Sequence, residues 1–141
     1  MVKGDPPMTN NERVLAYLDK CGFFFLATED GDQPKCRPLG LKLEYNGRIY
    51  FGVGTFKEVY HQLLGNANVE ICASDGEGFL RYYGEAIFDD DPAVAAAALE
   101  LLPKLKTVYN ERTGLKLGMF YILNGTAEFR NRAEIEDSLS L

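Results

Sequence analysis

Leu41-Lys42-Leu43-Glu44-Tyr45-Asn46-Gly47-Arg48-Ile49-Tyr50-Phe51-Gly52 decides the fold of this chain. Leu41, Leu43 and Tyr45 alternate with Lys42 and Glu44 at the period of a strand. Asn46-Gly47 is the dipeptide that a type I′ turn favours, and Arg48 to Gly52 returns as the partner strand. The hairpin runs directly into Gly52-Val53-Gly54-Thr55-Phe56-Lys57. There Thr55 and Glu58 stand at capping-box spacing, and Phe56, Val59, Tyr60 and Leu63 recur at helical spacing until Gly65. A strand that hands the chain to a helix start gathers free backbone N–H groups and the positive end of the helix dipole at one point, where a phosphate can bind.

Positive charge gathers in the same segment. Lys35, Arg37, Lys42, Arg48 and Lys57 face only Glu44, so residues 35–57 are locally +4 in a chain of net charge -6. Cations concentrated within an acidic protein mark a specific anion site, because the molecule as a whole repels anions. The same balance argues against nucleic acid as a partner, since duplex binding needs a broad cationic footprint. A length of 141 residues fits one domain. Its longest apolar runs, such as Phe23 to Ala27, fall far short of a bilayer span, so no membrane association is expected. No apolar run follows Lys3, so no signal peptide is read, and a cytoplasmic location is the expectation. Cys21, Cys36 and Cys72 are widely spaced and odd in number, which fits reduced thiols rather than a disulfide framework or a zinc knuckle.

Outward from the hairpin, the pattern predicts more strands in pairs. Thr9 to Glu12 has capping-box spacing for a helix that carries Val14, Leu15, Leu18 and Cys21 on one face and stops at Gly22. Phe23 to Thr28 reads as a buried strand, Asp30-Gly31 as a turn and Gln33 to Leu39 as the return. Val69 to Ser74 and Phe79 to Phe88 form a further pair through Asp75-Gly76-Glu77-Gly78. Asp91 caps a helix with Pro92 at its first position, Pro103 ends it, and Leu105, Val108 and Tyr109 continue as a second helical piece. A last hairpin is expected from Gly118 to Arg130 around Asn124-Gly125. Residues 1–8 read as an N-terminal arm, 9–130 as the single domain and 131–141 as a mobile acidic tail. Hairpins interrupted by helices, rather than βαβ units, predict a mainly β fold with flanking helices: a Greek-key barrel.

Arg37-Pro38-Leu39-Gly40-Leu41-Lys42 resembles the Arg-x-x-x-x-Lys strand of the pyridoxamine 5′-phosphate oxidase-like FMN-binding split barrels, and Thr55-Phe56-Lys57 resembles their Ser/Thr-x-Lys phosphate motif. Gln33 to Pro38 and Val69-Glu70-Ile71-Cys72 are most similar to the small members related to nitroimidazole reductases. The resemblance implies a split β-barrel and a homodimer with FMN at the subunit interface. It places Arg37, Pro38, Leu39 and Lys42 along the flavin and ribityl chain, Tyr50 and Phe51 near the ring or ribityl, and Thr55 and Lys57 on the phosphate. It also implies an FMN-dependent oxidoreductase that takes reducing equivalents from NADH or NADPH and passes them to a small electron-poor substrate. The rival is a non-catalytic protein that holds FMN, haem or another planar ligand. Phe56 stands where the family often has arginine, and the oxidases' Arg-Pro substrate segment and tryptophan-containing C-terminal segment are missing. These departures point away from vitamin B6 oxidation.

Other features read as structural. Gly52-x-Gly54 lacks the third glycine and the βαβ context of a dinucleotide fold. His61 is a lone histidine on a helix, Arg81, Tyr82 and Tyr83 belong to a barrel strand, and Cys36 has no paired base. Asp89-Asp90-Asp91 is a helix cap rather than a metal cluster.

Overall fold

Asn46 and Gly47 adopt φ of 50° and 75°, the left-handed pair that a type I′ turn requires, and this turn sets the register of the strands on either side. Lys42 pairs with Phe51, Leu43 with Tyr50, Glu44 with Ile49 and Tyr45 with Arg48. The computed structural model describes residues 7–141, so most of the expected N-terminal arm lies outside the described residues.

The elements are α1 (Asn10–Cys21), β1 (Phe24–Asp30), β2 (Gln33–Leu39), β3 (Lys42–Tyr45), β4 (Arg48–Gly54), α2 (Glu58–Gly65), β5 (Asn68–Ser74), β6 (Phe79–Asp89), α3 (Pro92–Leu101), β7 (Leu117–Arg130) and β8 (Ile135–Ser140), with a 3-10 turn at Pro103–Thr107. All pairings are antiparallel, in the order β2-β1-β5-β6-β7-β4-β3, and β8 joins β7. The two end strands, β2 and β3, are consecutive in the chain and separated only by Gly40 and Leu41. The sheet therefore curls on itself and is closed by covalent chain where ladder hydrogen bonds stop. This is the split barrel.

Two caps form as expected. Thr9 Oγ1 accepts from the Glu12 N–H at 3.1 Å at the start of α1, and the Asp91 carboxylate accepts from the Ala93 N–H at 3.0 Å at the start of α3. β4 is buried on both faces, and its residues divide between two clusters. Ile49, Phe51 and Val53 join the barrel core with Phe24, Leu26, Ile71, Leu80 and Phe120, which α1 covers with Val14 and Leu18. Tyr50 lies in a second cluster with Leu41, Met119 and, from α3, Val94 and Ala98. The small alanines let α3 approach the sheet closely. No helix among the described residues is long and apolar enough to cross a membrane.

Three expectations are corrected. The last hairpin does not form, because Leu117–Arg130 is one strand, paired along most of its length with the 11-residue β6. Asn124, at φ 55°, and Gly125 instead lie at a register shift between the Tyr83–Thr126 and Glu85–Leu123 pairs. Residues 131–141 are not a free tail. β4 covers one edge of β7 only from Leu117 to Tyr121, and β8 takes the unpaired stretch of that edge, from Thr126↔Ser140 to Arg130↔Ile135. Leu139 and Leu141 pack on the core, and Asp137 pairs with Arg13 of α1 at 2.9 Å. Finally, Thr55 does not cap α2. Its hydroxyl donates to the Lys116 carbonyl at 3.2 Å, Lys57 occupies the N-cap position, and no side chain caps the helix.

Candidate functional site

A cleft of about 460 Å³ opens where the barrel is split, within the size range of small-ligand sites. Its floor is Leu41 and the end of β4, Gly52 to Gly54; one wall is the end of β2, Arg37 to Leu39. Lys57 and Val59 contribute the start of α2, and Leu102, Leu105, Tyr109 and Leu117 form an apolar wall opposite. The floor needs glycine. A Cβ on Gly52 would overlap the Leu41 side chain, and one on Gly54 would come within 2.6 Å of the Phe56 ring and 2.9 Å of the Tyr109 hydroxyl.

Two cations from different elements meet at this cleft. Lys57, placed at the mouth by the β4–α2 junction, forms no ion pair among the described residues, and its ammonium lies 5.9 Å from the centre of the Phe56 ring. Arg37 is anchored rather than free: Nη1 donates to the Leu26 carbonyl and Thr28 Oγ1, and Nη2 donates to Gln62 Oε1. Partial burial lowers its pKa from the usual arginine value, yet arginine titrates so far above neutrality that it keeps its charge. Burial likewise raises the Tyr109 phenol, so it remains a protonated donor at the cleft wall. A planar ligand with an anionic end matches this combination of paired cations, an uncapped helix start and an apolar wall.

The fold agrees with what the comparisons find. A NimC/NimA family protein from Clostridium acetobutylicum is 34% identical, with a TM-score of 0.82 over 92% of this chain and 90% of that one. The chain belongs to the NimC/NimA family. A pyridoxamine 5′-phosphate oxidase-related FMN-binding protein from Nostoc punctiforme shares the fold at 15% identity, with a TM-score of 0.65 over 96% of this chain and 99% of that one. A heme binding protein from Mycobacterium smegmatis does so at 17% identity, with a TM-score of 0.66 over 96% of this chain and 60% of that one. No protein-family model and no curated protein matches the chain.

In this NimC/NimA-family chain, Arg37, Pro38, Leu39 and Lys57 come together at the cleft, whereas the other expected cofactor residues stand behind it. Lys42 points to α1 and pairs with Asp19 at 2.5 Å. Tyr50 donates its hydroxyl to Asp89 at 2.7 Å, beneath α3. Phe51 is enclosed by Phe24, Tyr82 and Phe120. Thr55 joins the cleft floor to the segment just before β7 through the Lys116 carbonyl. Sequence reasoning missed the apolar wall, which comes from segments more than 40 residues beyond the motif. Thr28 and Gln62 were missed too, although a polar residue on the inward face of a strand and another on a buried helix face were legible signals.

The remaining candidates lie elsewhere. His61 is exposed on α2, lining a separate hollow with Glu29, Asp30 and Glu58. Tyr82 is in the core, where burial raises its pKa to about 12. Arg81 makes a two-point contact with Glu70, and Tyr83 donates to Glu128 at 2.6 Å. Cys36 is an exposed free thiol on β2. Asp89 and Asp91 are spent on Tyr50 and the α3 cap, and no group of three or more metal-ligating side chains occurs among the described residues.

Proposed function

We propose that the cleft binds FMN and that the protein is an FMN-dependent oxidoreductase of the cytoplasm, drawing on NADH or NADPH and reducing a small electron-poor substrate. The observation that carries this reading is the convergence of Arg37 and Lys57, from β2 and the start of α2, on one cleft with an apolar wall. Lys57 and the uncapped N–H groups of α2 suit the phosphate dianion, to which each contributes a charge-assisted contact. Arg37 lies along the same cleft and suits the polar edge of the ring, where a cation stabilises the charge that reduction adds. Lys42, Tyr50, Phe51 and Thr55 hold the walls in place from behind. FMN when bound supplies the electron-transfer chemistry; the protein's own part is to bind, orient and exclude water.

Purified protein is expected to show a bound-flavin absorption spectrum, and FMN should bind about 100-fold more tightly than riboflavin, the difference expected from two charge-assisted phosphate contacts. Equal affinities in a fluorescence titration would remove the phosphate site from the proposal. The apolar wall of Leu102, Leu105 and Leu117 would also suit another planar ligand, and one structure of this fold is a heme binding protein. Steady-state oxidation of NADH or NADPH with a panel of acceptors separates the two: ligand binding without turnover favours the non-catalytic reading.

The proposal includes a homodimer. The outer face of β1 and β2 exposes Phe25 at 44% and Pro38, and Phe23, just before β1, is 59% exposed, an apolar surface beside a cleft that is open to solvent. Light scattering should give twice the chain mass, and Phe25→Asp should shift the protein towards monomer. A monodisperse monomer with tight FMN binding would contradict the shared site.

A further inference from the structure

Arg37 is held by a buried pair of polar side chains. Thr28, 3% exposed on β1, donates its only hydroxyl proton to Gln62 Oε1 at 2.6 Å, so the lone pairs of Thr28 Oγ1 remain for Arg37. Gln62, 9% exposed on α2, accepts at that same oxygen from Arg37 Nη2 at 2.8 Å, while Arg37 Nη1 donates to Thr28 Oγ1 at 2.8 Å and to the Leu26 carbonyl at 3.1 Å. The amide orientation of Gln62 is thereby set, since only its oxygen can receive two donors. Each polar group would be costly to bury alone, and the three satisfy one another.

This grip uses the end of the guanidinium and leaves its side. Nε makes no hydrogen bond among the described residues, and Nη2 uses one of its two hydrogens. An arginine held by one edge presents the other as two parallel N–H donors, a geometry that matches a planar edge carrying two adjacent acceptors and that a lysine cannot reproduce. Arg37 lines the cleft, and the Nε–Nη2 side is the part of its guanidinium that keeps donors to spare.

We propose that Thr28 and Gln62 are positioning residues that lock the Arg37 guanidinium in one orientation, so that it reads the polar edge of a bound planar ring while Lys57 holds the anionic end. The assignment to a ring edge rests on the FMN reading; the lock itself does not. Neither residue touches the ligand. The lock joins β1, β2 and α2 at one point.

The test has one arm without ligand and one with FMN and riboflavin. In the ligand-free protein, nitrogen NMR should show the Arg37 guanidinium rotating slowly, with resolved Nη signals that collapse in Thr28→Val and in Gln62→Met. A freely rotating Arg37 in the parent would overturn the lock, whether or not the protein binds flavin. In the second arm, either variant should weaken FMN and riboflavin by the same factor, about tenfold for the loss of an ordered charge-assisted contact. The double variant should lose little more, because both residues act through Arg37. Thr28→Ser, which keeps the hydroxyl, should restore both the signals and the affinity. Parental affinity for both flavins in folded Thr28→Val and Gln62→Met would overturn the role in recognition. Failure of the parent to bind either flavin would instead remove the FMN reading and leave the lock to be judged by the NMR arm.

Discussion

Lys57→Glu is expected to weaken FMN binding by at least about 100-fold, because it removes a charge-assisted contact and sets a carboxylate beside a phosphate dianion. The substitution is informative because it should not harm the fold. Lys57 is the N-cap of α2, exposed and in extended backbone at φ -92° and ψ 155°, and it makes no side-chain cap bond. An acidic residue at a helix start interacts favourably with the dipole, so α2 should be kept or slightly strengthened. Riboflavin has no phosphate, and its affinity should therefore change by less than about threefold, within the range of a remote charge effect. Titrating both ligands by flavin fluorescence, with circular dichroism to check the fold, settles the point. Parental FMN affinity would show that Lys57 is not at the phosphate.

Phe51→Ala is expected to destabilise the protein by about 3–5 kcal/mol, the usual cost of emptying a buried aromatic site. Phe51 is fully buried, its ring 5.5 Å from that of Phe24 and 5.7 Å from that of Phe120. Against a total stability of about 5–15 kcal/mol for a small domain, this loss brings the variant close to unfolding. Urea denaturation would measure it through the transition midpoint. A loss under about 1 kcal/mol together with a selective fall in flavin affinity would instead mean that Phe51 reaches the cofactor.

Local signals in this chain were legible wherever neighbours in sequence are also partners in space. Asn46-Gly47 joins β3 and β4, which pair residue for residue directly on either side of it, and it turns. Asn124-Gly125 has the same chemistry but does not turn, because β6 is long enough to pair across it and a continuous β7 satisfies more backbone groups. The acidic sequence of 131–141 hides a strand for a similar reason: its partner is the uncovered half of β7, and no local pattern could show that half to be free. At the site, Arg37 and Lys57 were found because strand and helix motifs carry them. Leu102, Leu105 and Tyr109 were not, since their place at the cleft depends on how α3 crosses the sheet.

β2 ends the sheet on one side, yet two of its seven residues are Pro34 and Pro38. In an antiparallel pair, alternate residues direct their N–H groups to the partner strand and the others direct them outward. A proline fits only the outward positions, so Pro34 and Pro38 leave Cys36 as the one outward N–H donor between them. The strand consequently cannot serve as a template for another chain's strand, and edge-to-edge growth into aggregates is blocked there without any bulge or covering helix. The proposed homodimer would instead form through side chains on the broad face of β1 and β2, keeping separate sheets, with the neighbouring cleft at the seam between them.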